Sequence, residues 1–152
     1  MLINKDLILL DVDLSSKEEA ILRIADLFEA TGKLNDKERY IQDVYRREDE
    51  ISTNLGDGIG MPHAKTEAVK EVGLAFIRLL NPIEWQSECC NTPVKVLFGI
   101  AVPENGGEQH LKILAQLARK LIYDEFKEKL FNVKDENELL AIIQEATKGV
   151  VS

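Results

Sequence analysis

Apolar residues recur along this chain in two rhythms, and the switches between them outline its elements. Asp6 to Val12 is an apolar run of strand length. Ser15-Ser16-Lys17-Glu18-Glu19 follows with the spacing of a capping box. Ala20, Ile21, Ile24, Ala25, Leu27 and Phe28 then fall at helical intervals until Gly32 ends the pattern. Asn35, with Glu38 three residues later, predicts the start of a second helix that runs to about Arg46. Glu48 to Lys65 has three glycines, a proline and no helical period, so it predicts a loop holding at most a short strand. Val72 to Leu80 and Val94 to Val102 are continuous apolar runs, the signature of buried strands. Pro103 to Gly107 is a loop. Beyond it Leu111, Leu114, Ala115, Ala118, Leu121 and Ile122 predict the buried face of a long helix. Asp124 to Phe131 predicts a short helix, and Asp135 to Ala146 a last one that starts at an acidic cap. These elements amount to an α/β domain three layers deep, one sheet covered by helices. Strand order and direction do not follow from the pattern.

Length and charge narrow the picture. The 152 residues predict a single domain, 1–152. The formal net charge is −8, which argues against a nucleic-acid partner, because phosphate-backbone binding needs clustered Lys and Arg. An acidic surface is compatible with docking a basic protein. No apolar run reaches the length of a membrane span, and the best stretch, Val72 to Leu80, contains Arg78. The apolar run at the N-terminus is too short for a signal peptide and is followed by acids, so the expected location is cytoplasmic. Cys89 and Cys90 are adjacent, which is neither zinc-site nor redox-pair spacing, and read as structural.

Candidate chemistry gathers around the only two histidines, each just beyond a glycine-containing loop: His63 in GDGIGMPHAK and His110 in PENGGEQHLKIL. Imidazole near its ordinary pKa is mostly neutral at pH 7 and can carry a covalent phosphoryl group. Pro62 fixes its own φ and drives Met61 toward an extended conformation, a stiff support for the His63 ring. His110 stands near a helix N-terminus, where the dipole and unpaired N–H groups favour an anion. Taken singly, each has a bland reading: a surface or hydrogen-bonded histidine, and a helix-start residue without a task. Arg46 and Arg47 at a helix end complement its dipole, and an arginine there also suits the charge on a phosphoryl group. Ser52, Thr53 and the amides around Gly56 to Gly60, Gly58 among them, are candidate phosphate donors. No Gly-Lys-Ser/Thr follows the glycines, so the loop is not a nucleotide-binding P-loop.

Two stretches carry a resemblance. Arg47-Glu48, Ser52-Thr53 and Gly58-Ile59-Gly60-Met61-Pro62-His63 resemble one signature of the IIA domains of the phosphoenolpyruvate-dependent sugar phosphotransferase system, fructose–mannitol class. Pro103-Glu104 through His110-Leu111 to Leu121 is similar to the second. The run Pro62-His63-Ala64-Lys65-Thr66 with Ala68-Val69 looks most like the fructose branch. Gly60 stands where the family more often has alanine, and Met61 where a branched aliphatic is usual. The resemblance implies a mixed β-sheet flanked by helices on both faces. It implies that His63 takes the phosphoryl group and that His110 and Arg47 stabilise it; Thr53, Gly58 and Pro62 are the expected phosphate-binding and supporting residues. The implied donor is the small histidine phosphocarrier protein. The implied acceptor is a cysteine of a IIB component, with a membrane IIC component served indirectly, and no metal or organic cofactor takes part.

Two rival readings share these residues. A regulatory, nitrogen-type IIA-like protein would use the same histidine as a charge switch on a protein interface. A metal hydrolase would join both histidines to a carboxylate such as Asp57, but lacks an HExxH-type spacing to supply the set.

Overall fold

The computed structural model describes residues 2–86 and 92–148, with the side chains of Gln109 and His110 excepted. Cys89 and Cys90 lie outside the described residues. A 3-10 turn, Lys5–Leu7, leads into β1 (Ile8–Val12), so the first strand begins later than its apolar run. Helix α1 (Lys17–Ala30) is capped by the Ser16 hydroxyl, which accepts from the Glu19 N–H as the capping box requires. Helix α2 (Lys37–Glu50) starts from Asp36 rather than Asn35. The Asp36 carboxylate accepts from the Arg39 N–H, while Asn35 donates instead to the Glu67 carbonyl. The helix also runs four residues past the expected end at Arg46, which brings Glu48 into it.

The expected loop is mostly strand. It holds β2 (Asn54–Gly56), β3 (Ile59–Gly60) and β4 (His63–Thr66). Asp57 and Gly58 turn β2 into β3 with φ of 56° and 82°, the positive pair that a two-residue hairpin demands. Strands β5 (Gly73–Ile83) and β6 (Val94–Pro103) run antiparallel through the middle of the sheet. The order is β1-β5-β6-β3-β2, with β4 also on β6. Strands β3 and β4 lie parallel to β6 in one continuous register, Gly60 beside Leu97 and His63 beside Ile100. They are one strand interrupted at Met61-Pro62, where proline removes a ladder donor.

Helices α3 (Gln109–Lys120), α4 (Asp124–Asn132) and α5 (Glu136–Ala146) complete the described elements. Gly73, Ala75 and Ile77 of β5 pair with Ala101, Gly99 and Leu97 of β6, so all six share one face. Four of them, Gly73, Ala75, Gly99 and Ala101, are small where α1 lies close: a Cβ on Gly99 would stand 2.5 Å from Ile24 Cγ2. Gly99→Ala should therefore destabilise the fold by about 1–3 kcal/mol through overpacking, read as a lower urea midpoint at unchanged m. The opposite face carries Phe76 against Phe98, edge to face at 5.4 Å, and Arg78. Arg78 is 2% exposed. It donates to both Asp11 carboxylate oxygens and to the carbonyls of Leu130 and Val133, which ties α4 to the sheet. Asp11 can reach it because β1 bulges against β5 between Leu9 and Val12, with Asp11 at φ 56°. The mixed sheet between two helical layers is the architecture expected.

One face was expected wrongly. In α3 the buried residues are Ile113 and Leu117, with Leu114 and Leu121 partly covered. Leu111 and Ile122 are 52% and 74% exposed, and Ala115 and Ala118 face solvent. Two apolar rows compete on this helix, and packing against β6 selects the one through Ile113 and Leu117.

Candidate active site

The buried residues of α2 are Tyr40, Asp43, Val44 and Glu48, with Arg47 half-buried, so hydrogen-bonding side chains recur on it at i, i+3, i+7 and i+8. The Tyr40 hydroxyl donates to the Ile100 carbonyl at 2.8 Å, deep in the core, where burial pushes the phenol pKa upward and keeps it a neutral donor. Asp43 accepts from Thr66 Oγ1 on β4 at 2.5 Å, from Arg39 Nε at 3.1 Å and from Arg46 Nη1 at 3.0 Å. Arg47 Nη1 donates back to the Ile51 carbonyl at 2.8 Å.

Glu48 is buried and anchors the next segment. It accepts from the Thr53 N–H at 2.8 Å, the Thr53 hydroxyl at 2.6 Å and the Trp85 indole N–H at 2.8 Å. Lys17 lies 3.4 Å away and caps the Trp85 ring at 5.1 Å. Burial works against the charge on Glu48, but the Thr53 and Trp85 hydrogen bonds and the Lys17 cation outweigh it. The carboxyl is held below its usual range.

Between α2 and β4 opens a cleft of about 300 Å³. Arg39, Asp43, Arg46, Arg47 and Glu50 line it from α2, and His63, Ala64, Lys65 and Thr66 from β4, with Glu104 completing the lining. His63 is 8% exposed, and its Nδ1 lies 2.8 Å from the Met61 carbonyl. A carbonyl only accepts, so Nδ1 donates in this contact, and in the neutral ring the lone pair then belongs to Nε2. The segment before the ring is pinned on both sides. The Met61 N–H donates to the Thr53 carbonyl at 3.0 Å, and the Pro62 carbonyl accepts from the Ile100 N–H at 3.1 Å. The loop into α3 is tied to the same strand: Lys65 Nζ donates to the Gly107 carbonyl at 2.6 Å, and the Glu104 N–H to the Thr66 carbonyl at 3.1 Å.

Of the residues singled out from the sequence, His63 and Arg47 meet in this cleft, with Arg46 beside them, and Pro62 backs the ring. His110 occupies the second position of α3, at the end of the tied loop; its side chain lies outside the described residues. Thr53 and Gly58 are not brought to the cleft. Thr53 is committed to Glu48. Gly58 makes the hairpin turn, and its carbonyl accepts from the Lys95 and Val96 N–H groups. Asp57 is on the same turn, ion-paired with Lys127 of α4, and among the described residues no three His, Cys, Asp or Glu side chains form a metal-holding group. Arg39, Asp43, Lys65 and Glu104 were missed. The signal was there for Asp43: a carboxylate on the stripe of Tyr40 and Val44, four residues after one arginine and three before another.

This geometry can hold an anion against an imidazole nitrogen. The family model for the phosphoenolpyruvate-dependent sugar phosphotransferase system, EIIA 2, matches residues 1–146. The chain belongs to this family. EIIA components are phosphotransferases that pass phosphoryl groups by way of histidine, and this chain is one of them. It is 36% identical over 143 residues to the fructose-specific EIIA component of Haloferax volcanii, covering 94% of this chain and 92% of that protein. Other relatives are longer proteins, of which the chain spans 16–23%. Among solved structures, the nitrogen regulatory protein IIA-Ntr of Neisseria meningitidis matches with a TM-score of 0.84 at 31% identity, over 92% of this chain and 94% of that one. Enzyme IIAMTL of Escherichia coli, solved in complex with phosphorylated IIBMTL, matches with a TM-score of 0.79. At 23% identity, over 94% and 97% of the two chains, that likeness shows the shared fold. Among the described residues no helix is long and apolar enough to cross a membrane.

Proposed function

We propose that His63 Nε2 is the atom that carries the phosphoryl group of this EIIA chain. The observation behind this reading is the Nδ1 to Met61 carbonyl hydrogen bond, in a cleft walled by arginines. A phosphohistidine on the small carrier protein is the donor. Its N–P bond breaks as the Nε2–P bond forms, and the donor ring leaves with its electron pair. The Met61 carbonyl steadies the partial positive charge that appears on the Nδ1–H side of the ring. A cysteine thiolate of a IIB component then attacks the phosphorus, and His63 leaves as neutral imidazole. Arginine stabilises the charge spread over the equatorial oxygens in both directions. In this reading His110 and Arg47 assist the transfer, and Thr53, Gly58 and Pro62 act through the backbone that holds the ring. The chain works as one EIIA unit, 1–152, in the cytoplasm, and serves a membrane IIC component through IIB. The sugar is fructose, a reading supported by the name of the Haloferax volcanii relative.

Incubation with phosphoenolpyruvate, enzyme I and the carrier tests this directly. Alkaline mass spectrometry should place one phosphate on His63, and ¹⁵N NMR should assign it to Nε2. Phosphate on Nδ1 would refute the tautomer argument. The likeness to the Neisseria meningitidis nitrogen regulatory protein favours a second reading, in which the same phosphohistidine controls partner proteins. A phosphorylated chain that transfers to no IIB component would select it.

A further inference from the structure

Arg47, the arginine singled out from the sequence, has a guanidinium nitrogen committed to the Ile51 carbonyl. Two other guanidiniums stand on the same wall and share a buried carboxylate. We propose that Asp43 is a positioning residue for phosphoryl transfer, holding Arg39 and Arg46 over the cleft as the surface that meets the phosphoryl oxygens. This inference rests on His63 being the phosphoryl acceptor.

Three observations carry it. Asp43 is 8% exposed, whereas the Arg39 and Arg46 side chains are 47% and 71% exposed; long cations of such exposure keep one geometry only when something fixes them. Each Asp43 oxygen takes one arginine, Oδ2 from Arg39 Nε and Oδ1 from Arg46 Nη1, which orients both planar groups. The third donor to Asp43 is the hydroxyl of Thr66, on the strand that begins at His63. One carboxylate thus fixes the cations relative to the nucleophile's own strand. With two guanidiniums against one carboxylate, the cluster keeps a net positive charge toward the cleft, and the remaining N–H groups of both arginines are donors suited to phosphoryl oxygens. The arrangement favours the transition state, in which charge on those oxygens is most spread.

The test is a double-mutant cycle on phosphorylation by the phospho-carrier, with Tm recorded for each variant. Asp43→Asn keeps the shape and an acceptor for Thr66 but removes the charge that orients the arginines. It should lower kcat about tenfold, with KM for the carrier within about twofold, as expected when orientation rather than docking is lost. Arg39→Ala/Arg46→Ala should lose at least as much, and adding Asp43→Asn to that background should cost nothing more. The proposal is overturned if Asp43→Asn transfers at the wild-type rate or faster, or if its loss adds in full to that of the arginine variant. Should Asp43→Asn fail to fold, the arginine variant decides: both side chains are exposed, and wild-type transfer without them refutes the idea. Failure of the underlying assignment looks different, because phosphate would then be missing from His63 in the unmutated protein.

Discussion

His63→Ala is expected to accept no phosphate from the phospho-carrier, a loss of at least about a thousandfold, because the atom proposed to form the new bond is gone. The fold should survive it. His63 begins β4, and the ladder to β6 is a backbone contact that alanine can make. Its Nδ1 contact is with the Met61 carbonyl, two residues away. The measurement is incorporation of label from phosphoenolpyruvate, with circular dichroism and Tm as controls. The chain has only one other histidine, so the alternative is sharply defined. Phosphohistidine recovered at His110 in the variant would mean the assignment is wrong. His110→Ala and Arg47→Ala serve as contrasts: each should slow transfer while His63 still becomes labelled, since stabilising charge is a smaller contribution than supplying the nucleophile.

Much of this site was legible because glycine, proline and histidine are punctuation. Pro62 interrupts a strand and stiffens the step before His63, and the structure shows that interruption between β3 and β4. The helices were legible wherever one apolar row dominated, as in α1 with Ala20, Ile21, Ile24 and Phe28. Legibility failed where two rows competed, as in α3, where contact with β6 rather than local pattern chose Ile113 and Leu117. It failed again in the Glu48 to Lys65 segment. Strands of two to four residues have no room to show a period, and only Asp57-Gly58 announced the hairpin.

The residues that organise the cleft were harder to find than those that line it. Asp43, Glu48 and Arg78 are charged side chains inside the fold, and a charge in sequence is ordinarily a solvated one. Each is buried because partners outside its own element satisfy it: Thr66 for Asp43, Thr53 and Trp85 for Glu48, the carbonyls of Leu130 and Val133 for Arg78. Such pairings are properties of the tertiary structure. Thr53 illustrates the difference. From sequence it was a candidate phosphate donor; in the fold its hydroxyl is bound to Glu48, and it serves the site through its carbonyl, which holds the Met61 N–H.

That relay makes Glu48→Ala a strongly damaging substitution outside the cleft. Three donors on Thr53 and Trp85 lose their acceptor in a buried place, and the expected cost is about 3–5 kcal/mol, read as a lower urea midpoint. Glu48→Gln keeps one acceptor oxygen and should lose less, about 1–3 kcal/mol. The pH dependence separates charge from shape. The folded protein holds the Glu48 carboxyl below its ordinary value of 4.5, so its charge contributes stability in full above that pH. The contribution disappears as pH falls through the lowered folded value. The stability gap between wild type and Glu48→Gln should therefore be constant near neutrality and narrow below pH 4.5; a gap that stays constant into acid would show that the carboxyl's charge is not what counts. Function should follow the same path. Glu48 fixes Thr53, the Thr53 carbonyl fixes the Met61 N–H, and the Met61 carbonyl fixes His63 Nδ1. Glu48→Gln should then slow phosphorylation at 25 °C even where the chain is fully folded, because the ring proposed to present Nε2 to the donor is held at the far end of that chain of bonds.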